Sequence, residues 1–227
     1  MIRVTENFRK IQDLLAKAAA DAGRPVDQIR LLAVSKKKPV DAILEAAEAG
    51  QRDFGENFVQ EGLEKIEKCG REDLTWHFIG HIQSNKTRPV AECFQWVHTV
   101  DRVKIARRLS AQRPPHAPDL NICIEVNIDA EQQKSGVLPD DVAELARNIV
   151  ELPRLRLRGL MCLPAIRSGF DEQRKPFAAL RELYESLNAD GNSLDTLSMG
   201  MTADYAAAIH EGATIVRIGT ALFGVRE

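Results

Sequence analysis

The chain has 227 residues, 44% hydrophobic and 28% charged, enough for one large domain or two small ones around a substantial core. A net charge of −2, from 31 basic and 33 acidic residues, leaves no electrostatic footprint for nucleic acid or an anionic membrane surface. No apolar run approaches the ~18 residues of a membrane span and Met1–Glu6 lacks a signal-peptide apolar region, so a cytoplasmic protein is expected.

Helical spacing opens the chain. Phe8, Ile11, Leu14, Leu15 and Ala18 share a face, Thr5 is a candidate N-cap, and Gly23 and Pro25 end the helix. The run from Leu31 then reads as a strand buried on both faces, leading through Ser35 to Lys36, Lys37, Lys38 and the breaker Pro39. Residues 52–57 form a second, weaker strand before a helix that Asn57 can cap, with Gln60 at capping-box spacing. Residues 76–80 are the third strand, ahead of a helix that Ser84 can cap. Residues 96–100 are the fourth, with Asp101 capping a helix over 103–109. Residues 120–127 make the clearest strand, and a polar loop through Lys134, Ser135 and Gly136 separates it from a helix over 139–152. The sixth strand spans 155–163, followed by a loop with Pro164 and Gly169 and a long helix around 177–187. Residues 194–199 are the seventh, after which Thr202 can cap a helix over 203–210 that Gly212 stops. Residues 214–220 are the eighth.

Eight strands alternating with helices are the pattern of a single (β/α)8 TIM barrel over residues 1–227, with an open doubly wound sheet as the alternative. Too little chain follows the eighth strand for a full helix, and the extra N-terminal helix is expected to close the ring in its place. Cys69, Cys93, Cys123 and Cys162 are scattered without C-x-x-C spacing, so reduced thiols are expected rather than a disulfide framework or a metal site.

In such a barrel the active end is the C-terminal face of the strands, with phosphate commonly bound by the loops after strands seven and eight. Lys36 falls at that end of strand one. Burial favours the neutral form of an amine, which Schiff-base chemistry needs; the plainer alternative is a solvated basic turn. The two distal loops, Ser198-Met199-Gly200-Met201-Thr202 and Gly219-Thr220 through Gly224, both combine glycine with a hydroxyl, although Gly200 could serve only its turn. Period-two alternation sets Leu32 and Val34 on the face of Lys36, with Ala33 and Ser35 toward the helices. By the same alternation Arg217, between Val216 and Ile218, points inward. A buried arginine needs a partner, either Glu125 or Glu56 or a ligand in the barrel mouth. A phosphorylated aldehyde that uses the lysine, the loops and the arginine is pyridoxal 5′-phosphate (PLP). A Schiff-base aldolase acting on a sugar phosphate stays open.

Five stretches carry a resemblance as well: Ala33-Val34-Ser35-Lys36, Phe54-Gly55-Glu56-Asn57, Trp76-His77-Phe78-Ile79-Gly80 with Gln83-Ser84-Asn85-Lys86, Ser198-Met199-Gly200-Met201, and Val216-Arg217-Ile218-Gly219-Thr220. In this order they closely resemble the pyridoxal phosphate homeostasis protein family, which is related to the N-terminal barrel of alanine racemase. The resemblance spans nearly the whole chain. It implies a fold type III barrel without the racemase C-terminal β domain, and PLP held by a Schiff base on Lys36. It further implies phosphate around Ser198, Gly200, Gly219 and Thr220, Arg217 facing the pyridine nitrogen, and Asn57 near the ring. Two residues depart from the family pattern, His81 where proline is usual and Thr202 where serine is common, and neither is expected to touch the ligand.

An arginine cannot give up its proton, so it keeps the ring nitrogen unprotonated and the ring a weak electron sink. Racemisation tolerates this, but the resembling racemases also need a tyrosine as second base. Tyr184 and Tyr205 both fall in predicted helices, where packing is expected. The expectation is a non-catalytic monomer that buffers PLP and delivers it to apo-enzymes, with no nucleic-acid or membrane partner. The alternative is a small amino-acid racemase using Lys36 as one base. His77 reads as a satisfied core histidine more readily than as a barrel-lining functional group. Lys134 reads as a solvated charge, with transient contact to the barrel mouth or a second PLP as the functional alternative.

Overall fold

In the computed structural model, which describes residues 4–224, eight parallel strands pair in sequence order and close on themselves. They are β1 (Arg30–Val34), β2 (Asp53–Glu56), β3 (Thr75–Phe78), β4 (Trp96–Val100), β5 (Leu120–Val126), β6 (Leu155–Cys162), β7 (Thr196–Ser198) and β8 (Ile215–Ile218). At the closure Leu32 lies opposite Arg217 and Ala33 opposite Ile218, which an open sheet would not allow. The helices are α1 (Val4–Asp21), α2 (Val40–Glu48), α3 (Val59–Cys69), α4 (Thr87–Cys93), α5 (Val103–Gln112), α6 (Val142–Val150), α7 (Phe170–Ala189), α8 (Tyr205–His210) and the single turn α9 (Thr220–Phe223). As expected, α1 fills the gap beside that short last helix, packing against α2, α8 and α9. Its buried stripe is Phe8, Ile11, Leu15 and Ala18; Leu14, predicted to share it, is exposed.

The main hydrophobic core lies between the strands and the helix ring. Inside the barrel the filling differs from the usual layers of branched aliphatics. Trp96, Cys123 and Met161 form one small cluster there, beside the buried polar side chains of His77, His98, Ser198 and Arg217. Close strand approach depends on Gly159, where a Cβ would lie 1.7 Å from the Thr196 carbonyl oxygen across the β6–β7 pair.

Helix starts are where the sequence reading needs correction. Asn57, Ser84, Asp101 and Thr202 cap no helix with their side chains; α3 follows Phe58, α5 follows Arg102, and α4 follows a 3-10 turn over Ser84–Lys86. Helix α8 begins at Tyr205, and Asp204 instead accepts the Met201 N–H at 2.6 Å. Thr5 sits inside α1 and bonds Glu45. For Thr5 the reason is a tertiary contact that takes up its hydroxyl, and Asp101 is taken up by its neighbour Arg102. Helix α7 begins at Phe170, earlier than the stretch around 177–187 expected from the sequence, and runs through Pro176. The lost N–H bond is offset by burial of Phe177, Leu180 and Leu187. Among the described residues no helix is long and apolar enough to cross a membrane.

Candidate functional site

At the C-terminal ends of the strands a cavity of about 200 Å³ opens between the loops after β1, β2, β3, β6, β7 and β8. Lys36, Lys38, Asn57, Thr202, Arg217 and Thr220 supply its polar lining, Ile79, Met161, Leu163 and Met201 its apolar walls, and Gly219 and Gly224 bring backbone close. Of the predicted site residues, Lys36, Asn57, Arg217, Gly219 and Thr220 therefore meet in one place. Ser198 and Gly200 do not line it. Ser198 is turned into the barrel, bonded to His98 and Arg217. Gly200 is needed by the turn itself, with φ 91° and a Cβ position 2.6 Å from the Ala208 side chain. Thr202, expected not to touch the ligand site, lines the cavity.

Lys36 lies in a turn just past β1 rather than on the strand. The predicted alternation holds, since Val34 lines the cavity with it and Ser35 faces α3. The Ser35 carbonyl accepts a hydrogen bond from Lys65 Nζ at 2.7 Å, and its hydroxyl donates to Glu56 Oε1 at 2.6 Å. The same ammonium donates to Glu56 Oε1 at 2.8 Å and Glu61 Oε1 at 2.6 Å, and Glu61 accepts the Lys37 backbone N–H. Lys37 has φ 60°, a left-handed conformation that a lysine holds only with outside support. Both neighbours of Lys36 are thus tied to α3, Ser35 by the Lys65 ammonium and Lys37 by the Glu61 carboxylate that this ammonium also meets. Desolvation holds the Glu56 carboxyl above the usual carboxylate range, against the pull of Lys65 and Ser35. Sequence reasoning missed this network because Glu61 and Lys65 resemble an ordinary i,i+4 surface pair. The available signal was Gly62, which shares the inner face of α3 with Lys65 and leaves room there.

Arg217 is the inward-pointing residue that alternation predicted, with 5% exposure. It forms no ion pair with Glu125 or Glu56. Nη1 donates to the Ser198 carbonyl at 2.6 Å and to Ser198 Oγ at 2.8 Å, and Nη2 donates to the Cys162 carbonyl at 2.8 Å. Beyond Ser198 the polar chain continues: His98 Nδ1 lies 2.8 Å from Ser198 Oγ, His98 Nε2 2.9 Å from His77 Nδ1, and His77 Nε2 2.9 Å from Asp53 Oδ1. Burial lowers the pKa of both histidines, that of His98 the further because His77, Arg217 and Arg30 add to it. His77 is therefore a satisfied buried histidine, though joined to the cavity's arginine.

A second cavity, of about 310 Å³, shares Asn57, Ile79 and Leu163 with the first and is lined further by His81, Glu125, Lys134 and Ser135. Lys134 is not a freely solvated charge, since Nζ bonds the Leu163 carbonyl at 3.0 Å and Glu131 at 2.5 Å. Burial, with Asp101 adding to it and Arg217 opposing, pushes the Glu125 carboxyl up to about 7. Because this folded pKa exceeds the unfolded value, the stabilisation is complete at acid pH and is lost as pH rises through about 7. Glu125→Gln removes that dependence. Between about pH 5 and pH 8 its unfolding free energy should gain roughly 2–3 kcal/mol relative to wild type. Urea unfolding at both pH values checks this; a constant gap would mean the carboxyl is not desolvated.

The family described as alanine racemase, N-terminal domain, matches residues 3–227. The pyridoxal phosphate homeostasis protein of Pseudomonas aeruginosa is 55% identical over 227 residues, covering 100% of this chain and 97% of its own. The structure of PipY from Synechococcus elongatus PCC7942 with PLP bound is 35% identical and superposes with a TM-score of 0.80, covering 92% of this chain and 100% of that one. Alanine racemase from Corynebacterium glutamicum shares the fold at 15% identity, with a TM-score of 0.74 over 98% of this chain and 61% of the racemase. With a barrel of the racemase kind and full-length relatives at about half identity, the chain belongs to the pyridoxal phosphate homeostasis protein family.

Proposed function

We propose that this protein holds PLP reversibly at Lys36 and buffers and delivers it to apo-enzymes as a monomer, with no turnover of its own. The observation that carries this reading is the meeting of Lys36, Arg217, Gly219 and Thr220 in one cavity, in a chain so similar to PipY, whose structure has PLP bound. The lining also fits such a ligand chemically. Asn57 Oδ1 is buried without a protein partner, three of the five guanidinium N–H donors of Arg217 are taken by protein, and Lys38 adds a second cation. When bound, PLP supplies an aldehyde that condenses reversibly with a primary amine, together with a phosphate dianion. Lys36 offers that amine, held at the cavity by the turn that Lys65 pins. Gly219 and the Thr202 and Thr220 hydroxyls suit the phosphate. Arg217 can donate but not release a proton, so it gives the ring no acid and favours storage over turnover. The two tyrosines support the same reading: Tyr184 bonds the Leu194 carbonyl at 2.7 Å and Tyr205 lines a separate cavity with Phe170 and His210.

Purified protein mixed with PLP should turn yellow, and borohydride should fix the cofactor's mass on Lys36. Lys36→Ala should lose both signals while keeping its thermal midpoint. A wild type that stays colourless would overturn the proposal, and robust D/L interconversion of any amino acid would replace the carrier with a racemase.

A further inference from the structure

The polar chain through the barrel interior has a direction, and the groups at its two ends determine it. A guanidinium only donates and a carboxylate only accepts. Arg217 Nη1 therefore donates to Ser198 Oγ at 2.8 Å, which makes that oxygen an acceptor on this side. The hydroxyl proton goes to the other partner within reach, His98 Nδ1 at 2.8 Å. His98 then carries its proton on Nε2 and donates it to His77 Nδ1 at 2.9 Å. His77 in turn carries its proton on Nε2 and donates to Asp53 Oδ1 at 2.9 Å. Every bond points the same way, from Arg217 near the C-terminal end of β8 to Asp53 at the N-terminal end of β2. The reverse order would leave a neutral His77 with a bare Nε2 against the Asp53 carboxylate, two acceptors with no proton between them.

His77, His98 and Ser198 are fully buried, so aligned bonds among them reinforce one another in a low-dielectric interior. The lowered histidine pKa values agree with two neutral rings. Charge then sits at the ends alone. Asp204 and Glu125 act on Arg217 through space, but Asp53 is the carboxylate joined to it by hydrogen bonds, and Asp53 is itself met by Arg30 at 3.4 Å. We propose that Asp53, His77, His98 and Ser198 are positioning residues for Arg217, a one-way hydrogen-bonded chain that holds its guanidinium in a single orientation at the cofactor cavity from a carboxylate at the opposite end of the barrel. This rests on the cavity being the PLP site.

Two measurements test it. In the cofactor-free protein, ring-nitrogen NMR should show both His77 and His98 neutral with the proton on Nε2; a charged ring or a proton on Nδ1 overturns the chain. With PLP, Ser198→Ala should weaken binding about tenfold and move the visible absorption maximum, because Arg217 loses an acceptor and its register. Asp53→Asn keeps an oxygen for His77 but removes the charge, and should weaken binding about threefold with a shift of the same sign. The double variant should bind no more weakly than Ser198→Ala alone, since the connection is already cut. Additive losses would overturn the proposal, and are what Ser198 acting as a simple phosphate ligand would produce. An unmoved absorption maximum in both single variants overturns it equally. A wild type that takes up no PLP defeats the reading of the cavity instead, and the tautomers then decide the chain.

Discussion

Lys65→Met is expected to destabilise the protein by about 3–5 kcal/mol, the range for removing one partner of a buried ion pair. Lys65 is 5% exposed, and its ammonium meets Glu56, Glu61 and the Ser35 carbonyl at once. Methionine is one atom shorter and apolar, and it strands a carboxylate whose side chain is fully buried. Glu56 would take up a proton, keeping its bond to Ser35, while the Lys36 turn loses the hold of Lys65 on the Ser35 carbonyl and keeps only the Lys37–Glu61 bond to α3. Capture of PLP should therefore slow even under conditions where the variant is folded. Urea unfolding and the rate of yellow-colour development measure the two effects. Adding Glu56→Gln should restore part of the stability, because an amide there needs no proton taken up at neutral pH. A single-variant loss below about 1 kcal/mol would show the site to be wet enough to screen the charge.

Gly80→Ala should cost about 3 kcal/mol, at the upper end for inserting a carbon where none fits. A Cβ at Gly80 would lie 1.9 Å from the Asn57 carbonyl oxygen and 2.8 Å from its Cα, and no side-chain rotation relieves a clash with backbone. The segment that must move is the one carrying Asn57 on the wall shared by both cavities. PLP affinity should fall together with the thermal midpoint. Gly191→Ala is the control: φ is 96° there but nothing lies within 4 Å, so only backbone strain of about 1 kcal/mol is expected and PLP affinity should not change. Equal effects at the two glycines would mean that the approach of the β2 and β3 loops is soft.

Strand count, strand order and the inward side of β8 were all legible from local pattern. Parallel strands buried on both faces read as apolar runs, and period-two alternation is set by the backbone alone, so Arg217 could be turned inward without a fold. The same logic placed Lys36 with Val34, the barrel pattern put Gly219 and Thr220 at the active end, and Asn57 was joined to them only through the family resemblance. Partners were not legible. Lys65 lies thirty residues from the Ser35 carbonyl it holds, and His98 a hundred from Ser198. Such contacts exist only once the ring closes, so neither spacing nor composition announces them. For the same reason Ser198 and Gly200 were expected at the cavity, whereas the Ser198 hydroxyl bonds His98 and Arg217 inside the barrel and Gly200 serves its turn. Chain order by itself determined a barrel with a lysine at its active end. Tertiary structure decided which polar groups face the cavity and which face each other, because a buried polar atom must find a partner and only closure says which one is near.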